Sequence, residues 1–193
     1  MKIHLCAGAA SNRRYCVVTR HPSPLSYPLA HGADAKPVME EFSLDTVPLD
    51  LDETTGGLVL PDMVGNDQNY LILRRPCADA LLESFSLGPH EVLPATLFNK
   101  KRRIHADDYV VLNPLGKIDC LDVECSDMDD DGDDEPSVQL FGSFALDRAR
   151  IPEDWDIFRV RGVLLGYMFS ERIVDFIRQQ GYTNFVFETV TLS

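Results

Sequence analysis

Apolar residues recur along the chain in two periods. Tyr70-Leu71-Ile72-Leu73 is a short continuous apolar run of the kind a buried strand needs. Ala78, Leu81, Leu82 and Phe85 then follow at i, i+3, i+4 and i+7, which places them on one stripe of a helix. Pro76 suits the first turn of that helix, and Gly88-Pro89 stops it. Val92 to Leu97 returns to strand character, so residues 70–97 are expected to form a strand-helix-strand unit.

The C-terminus shows the same order over residues 163–192. Val163-Leu164-Leu165 and Tyr167-Met168-Phe169 predict a strand, and the Ser170 hydroxyl is expected to cap the helix that follows. Ile173, Phe176 and Ile177 form its apolar stripe, Gly181 ends it, and Phe185 to Leu192 closes the unit as a strand. At an offset of 95 the two units align Leu81 with Phe176, Leu82 with Ile177 and Val92 with Phe187. Shared secondary structure alone can generate such matches, so the shared architecture is the firmer inference and duplication the weaker one.

Between the units, Tyr109-Val110-Val111-Leu112 and Lys117 to Val123 flank Asn113-Pro114-Leu115-Gly116, residue types that a type I turn favours. This spacing predicts a central β-hairpin. Val138 to Leu146 and Ile157 to Val160 are further expected strands. The first third differs: after a strand at Tyr15 to Thr19 come Pro22, Pro24, Pro28, Pro37 and Pro48, which leave little room for long ladders or helices. The expected fold class is therefore α+β, with a mixed or antiparallel sheet, two strand-helix-strand units and a central hairpin. The expected division is a proline-rich, loop-rich region over 1–66 and an α+β domain over 67–193.

Composition narrows the function. A chain of 193 residues, 45% hydrophobic, can bury one substantial core, and its apolar runs are far shorter than the roughly 20 residues that span a bilayer. Its start is too briefly apolar for a signal segment, so a cytoplasmic location is expected. The formal charge is −13, from 31 acids and 18 bases, and seven of the acids lie between Asp127 and Glu135. Such a surface disfavours nucleic acid and anionic lipid and attracts a basic partner.

That acidic run is the one motif-like string. Asp127, Asp129, Asp131 and Gly132 match positions 1, 3, 5 and 6 of an EF-hand loop, but Val138 stands where a bidentate Glu is required. Three uses fit the run: a solvated loop, a calcium-responsive element of a regulatory binding module, and bait for a basic protein through Asp127, Asp129, Asp130, Asp131, Asp133, Asp134 and Glu135. The opposite-sign stretch Lys100-Lys101-Arg102-Arg103 lacks interleaved aromatics and is expected to be an exposed connecting loop. Trp155, the single tryptophan, either anchors a loop on the core or serves as a binding hot spot.

Catalytic patterns are missing. His4, His21, His31, His90 and His105 are dispersed without metal-ligand spacing and are expected on surfaces or loops; Cys6, Cys16, Cys77, Cys120 and Cys125 form no CxxC pair and are expected to be free buried thiols. No GxSxG elbow or phosphate-cradling glycine motif occurs. No cofactor, metal or catalytic residue is assigned, and the protein is expected not to be an enzyme.

The stretch from Tyr109 to Asp122, containing Asn113-Pro114-Leu115-Gly116 and Asp119-Cys120-Leu121-Asp122, resembles a hallmark segment of the Imm11 immunity-protein family, also called the domain of unknown function DUF1629. Phe158-Arg159, followed by Phe169-Ser170-Glu171-Arg172, a helix and a closing strand, resembles it too. The resemblance covers roughly residues 58–193. It implies a cytoplasmic bacterial protein that binds and neutralises a cognate polymorphic toxin, and it supplies no catalytic residues.

Overall fold

The computed structural model describes residues 2–8, 13–18, 35–38, 45–67, 69–128, 137–138, 142–163 and 166–193. Among the described residues, twelve strands and two α-helices make a mixed α+β fold with two sheets. In chain order the elements are β1 (Ile3–Gly8), β2 (Val17–Val18), β3 (Val47–Asp50), β4 (Met63–Asn66), β5 (Leu71–Arg74), α1 (Arg75–Ser84), β6 (His90–Phe98), β7 (Ile104–Pro114), β8 (Leu121–Asp122), β9 (Ala145–Leu146), β10 (Ile157–Phe158), β11 (Tyr167–Ser170), α2 (Glu171–Gln180) and β12 (Phe185–Leu192).

One sheet runs β2-β4-β5-β7-β6-β3 and the other β10-β11-β1-β12-β9-β8. Both curl until their edges meet. Val18 bridges Leu51, with Asp52 N–H donating to Val17 O at 2.8 Å, and Ile118 bridges Val160, flanked by bonds of 2.8 Å and 2.9 Å to and from Arg159 and Arg161. Strand alternation then sorts the side chains into three cores. Val18, Leu49, Val64, Ile72, Leu97 and Val111 fill the first curl. Ile3, Leu121, Leu146, Phe158, Met168 and Val190 fill the second. The outward residues of the same strands, among them Leu71, Leu73, Tyr167 and Phe169, meet both helices in a shared middle core, where the rings of Phe85 and Phe176 pack edge to face at 5.2 Å.

Five consecutive strands of one sheet match five of the other. In the order β4-β5-β7-β6-β3 the pairings are antiparallel three times and then parallel, and β10-β11-β1-β12-β9 repeats that sequence. The strands flanking each helix are thus separated by a third strand antiparallel to both. The middle core corrects the alignment: Leu71, Leu73, Cys77, Ala78 and Leu81 correspond to Tyr167, Phe169, Ile173, Val174 and Ile177, an offset of 96. Only the closing strands keep 95, because the turn after α2 is one residue shorter than that after α1.

A polar latch repeats as well. Asp62, just before β4, accepts from Thr183 N and Thr183 Oγ1 at 2.7 Å each, and Thr183 lies in the turn after α2. Asp156, just before β10, accepts from Ser86 N at 3.2 Å in the turn after α1. Each half therefore satisfies backbone donors of the other half's post-helix turn, which fixes how the halves sit together.

The central hairpin expected over 109–123 does not form. β7 is paired on both edges, by β5 and by β6, so Tyr109 to Leu112 has no edge left for Lys117 to Val123. The chain instead leaves one sheet at Pro114 and enters the other at β8, which pairs with β9. Gly116 N–H donates to Ala35 O at 2.8 Å, outside the turn. The hairpin that does form joins β6 to β7 through 99–103, placing Lys100, Lys101, Arg102 and Arg103 in an exposed connection.

Ser170 does not cap α2 through its hydroxyl; burial turns its Oγ to Asp156 at 2.5 Å instead. Gly181 does end that helix, at φ 71. His4 departs from its surface expectation, being 7% exposed in β1. Of Val138 to Leu146, only Ala145–Leu146 is a strand and Val138 an isolated bridge, with 139–141 outside the described residues. Residues 1–66 supply β1 to the centre of one sheet and β2, β3 and β4 to the other.

Candidate functional site

The acidic run begins where β8 ends. Asp122 Oδ1 accepts from Glu124 N at 3.1 Å and Cys125 N at 3.2 Å, an Asx turn that bends the chain outward. Ser126 Oγ then donates to Asp122 O at 2.6 Å and accepts from Ala145 N at 3.0 Å, tying the bend to β9. Asp127 is exposed and exchanges two bonds with Ser143: its N–H donates to Ser143 O, and its Oδ2 accepts from Ser143 N, both at 2.8 Å. Met128 pairs with Val138 in an antiparallel bridge whose side chains pack on the core of that curl.

The run thus has a fixed base built from Asp122, Ser126, Asp127, Met128, Val138 and Ser143. Asp129, Asp130, Asp131, Asp133, Asp134 and Glu135 lie outside the described residues. One Asp127 oxygen is engaged by a backbone N–H at the base, and the flanking elements are β-bridges and short strands rather than the helices that frame an EF-hand. Val123, 49% exposed, sits beside this base and adds an apolar contact to an acidic surface. Burial of Val138 and half-burial of Met128 explain why the base holds, since each side chain removed from water stabilises the bridge by about 1–2 kcal/mol.

Trp155 lies elsewhere. It is half-buried on the same core, with its ring so close to Gly88 that a Cβ there would stand 2.5 Å from a ring carbon. The next residue, Asp156, is 1% exposed and gathers Ser170 Oγ, Arg172 Nε and Arg172 Nη2 at 2.5 Å each, in addition to Ser86 N. The tryptophan and the aspartate together hold the turn after α1. Trp155 thus packs on the core beside that turn.

Sequence patterns gave no sign of a second buried polar group. Arg159, 3% exposed, lies with its guanidinium 4.4 Å from the Tyr167 ring centre and donates to the Tyr167 hydroxyl. That hydroxyl donates to Asn69 O at 3.0 Å, and Asn69 Oδ1 accepts from Gly166 N at 2.7 Å, so the group stitches one sheet to the other. Burial pushes the Tyr167 pKa up, and nearby Arg159 opposes the shift. The space beside it, lined by Val38, Tyr70, Leu93, Val111, Asn113 and Arg159, is a narrow seam between side chains with no room for a water molecule. A lone arginine beside an apolar segment carries no motif, which is why only the fold reveals it.

The thiols divide. Cys6, Cys16, Cys77 and Cys120 are free and buried, whereas Cys125 is free and exposed at the acidic base. Burial raises Cys6, Cys77 and Cys120 to about 12, and a hydrogen bond with Asp122 raises Cys125. Thiolate nucleophiles need the opposite shift. Among the described residues no group of His, Cys, Asp and Glu is arranged to hold a metal ion, and no helix is long and apolar enough to cross a membrane.

A comparison with protein-family models finds no match along this chain, and a comparison with curated proteins finds none either.

Proposed function

We propose that this protein is an immunity protein: a cytoplasmic, non-catalytic binder that neutralises a cognate bacterial toxin by occupying a basic surface on it. The observation that carries the reading is the concentration of seven acids in Asp127 to Glu135, on a segment whose base is pinned by the Asp127–Ser143 and Met128–Val138 pairs. A dense charge on a fixed base steers an oppositely charged partner and raises its association rate, an effect that weakens as salt screens it. The resemblance of Tyr109 to Asp122 and of Phe158 to Arg172 to Imm11 proteins points the same way. In this reading the two strand-helix-strand units are the scaffold, and the stretch that carries the resemblance is the crossing from one sheet to the other.

The test is co-expression with the toxin domain encoded beside the gene. The intact protein is expected to restore growth and to co-purify with the toxin. A variant with Asp127, Asp129, Asp130 and Asp131 changed to Asn should keep its melting temperature and lose at least tenfold in association rate at low salt. If the intact protein gave no rescue and formed no complex, the proposal would be refuted.

A further inference from the structure

Three large apolar side chains are exposed together at one end of the sheet that contains β7: Leu58 at 59%, Val59 at 42% and Ile104 at 63%. His105 Nε2 lies 3.3 Å from Leu58 O, which sets the start of β7 beside residues 58–59, and Val59 N donates to Arg14 O at 3.3 Å. Clustered apolar exposure of this kind marks contact surfaces more often than scattered single residues do.

The rim around this patch is cationic in a chain of net charge −13. Lys100 is paired with Glu53 at 3.2 Å and Arg102 with Asp50 at 2.5 Å, its guanidinium 5.2 Å from the Phe98 ring. Arg13, Lys101 and Arg103 are exposed and make no ion pair among the described residues. Asp108 is held by Arg74 at 2.7 Å, whereas Asp52, bonded by the neutral Thr54 and Thr55, keeps its charge and Asp107 is exposed, so among the described residues three cations without an ion pair face two such carboxylates.

The backbone is also open there. β5 ends at Arg74 opposite Tyr109, so Ile104 to Asp108 extend past the last β5 partner and, among the described residues, are paired with a strand on the β6 side only. An edge of this kind is a template for an added strand.

We propose that this rim docks an extended segment of a partner protein in which acidic and apolar residues alternate. Its backbone pairs along Ile104 to Asp108, its apolar side chains rest on Leu58, Val59 and Ile104, and its carboxylates meet Arg13, Lys101 and Arg103. The sign of the rim selects an acidic occupant, and the row of backbone donors and acceptors along Ile104 to Asp108 favours a polypeptide over other polyanions such as nucleic acid and anionic membrane. This surface belongs to the other sheet from Asp127 and takes a partner of opposite charge, so it is independent of the toxin-binding proposal.

Full-length protein is titrated into a fluorescein-labelled peptide of alternating Glu and Val, with fluorescence anisotropy as the readout. The expected result is saturable binding that weakens with salt. It should fall about tenfold in Leu58→Ser/Ile104→Ser and at least tenfold in Lys101→Glu/Arg103→Glu. All four positions are exposed, so the variants should keep the native melting temperature, which is measured alongside. No binding of the Glu peptide, equal binding of a peptide with Lys in place of Glu, or affinity unchanged in both variants would overturn the proposal. Tighter binding to phosphatidylglycerol vesicles or to a single-stranded oligonucleotide than to the peptide would overturn it as well.

Discussion

Replacing Asp156 by Ala tests the latch between the halves. The carboxylate is 1% exposed and receives four donors, from Ser170 Oγ, Arg172 Nε, Arg172 Nη2 and Ser86 N. Truncation leaves the Ser170 hydroxyl buried without its acceptor, a loss of about 1–3 kcal/mol. The Ser86 N–H loses a second bond, but Ser86 is exposed and water replaces part of it. Arg172 is 62% exposed in its side chain and returns to solvent, so its share is under about 1 kcal/mol. The sum is about 2–4 kcal/mol, which for a chain of this size lowers the melting temperature by about 5–15 °C. Arg172→Ala should cost about 1 kcal/mol or less, because it leaves the other two donors on the carboxylate. Thermal and urea unfolding of wild type, both single variants and the double variant would measure this. If Asp156→Ala destabilised no more than Arg172→Ala, the assignment of Asp156 as the buried hub of the latch would be wrong.

Gly88→Ala should destabilise by about 2–4 kcal/mol in urea unfolding, because Gly88 has φ 62 and an added Cβ would meet the Trp155 ring at 2.5 Å. Pairing it with Trp155→Ala should recover part of that loss; no recovery would separate the glycine's role from the ring. Asp52 is held near pH 2, first by the Thr54 hydroxyl and then by Thr55, against an ordinary 3.8. Its folded-state pKa is depressed, so its stabilising effect is present above about pH 4 and is lost as pH falls through about 2. Asp52→Asn should therefore differ from wild type in stability at neutral pH and converge with it near pH 2, as thermal scans across that range would reveal.

The unequal success of the sequence patterns has a physical basis. The stripe Ala78, Leu81 and the stripe Ile173, Ile177 are written locally, because one helix face must be apolar wherever the partner comes from. The turn at Asn113 to Gly116 is also local chemistry, but its residues suit a sheet-to-sheet crossing as well as a hairpin, and local propensity cannot tell which strand comes next. Ser170 illustrates the same limit: its hydroxyl fits a helix cap until Asp156, fourteen positions upstream, offers a buried carboxylate.

What the sequence determined by itself was composition and local form: an α+β chain, two helices with apolar stripes at matching intervals, and an acidic run; burial was expected for all five thiols, and the structure leaves Cys125 exposed. What only the tertiary structure decided was pairing. β1 closes the sheet of the C-terminal half, occupying the place that β7 holds in the other; the offset becomes 96 where the middle core sets it; and Leu58 O comes to lie 3.3 Å from His105 Nε2 at the start of β7. Pairing depends on which distant strand presents a free row of donors and acceptors and a matching face. That information is shared between segments far apart in the chain, so no single segment carries it.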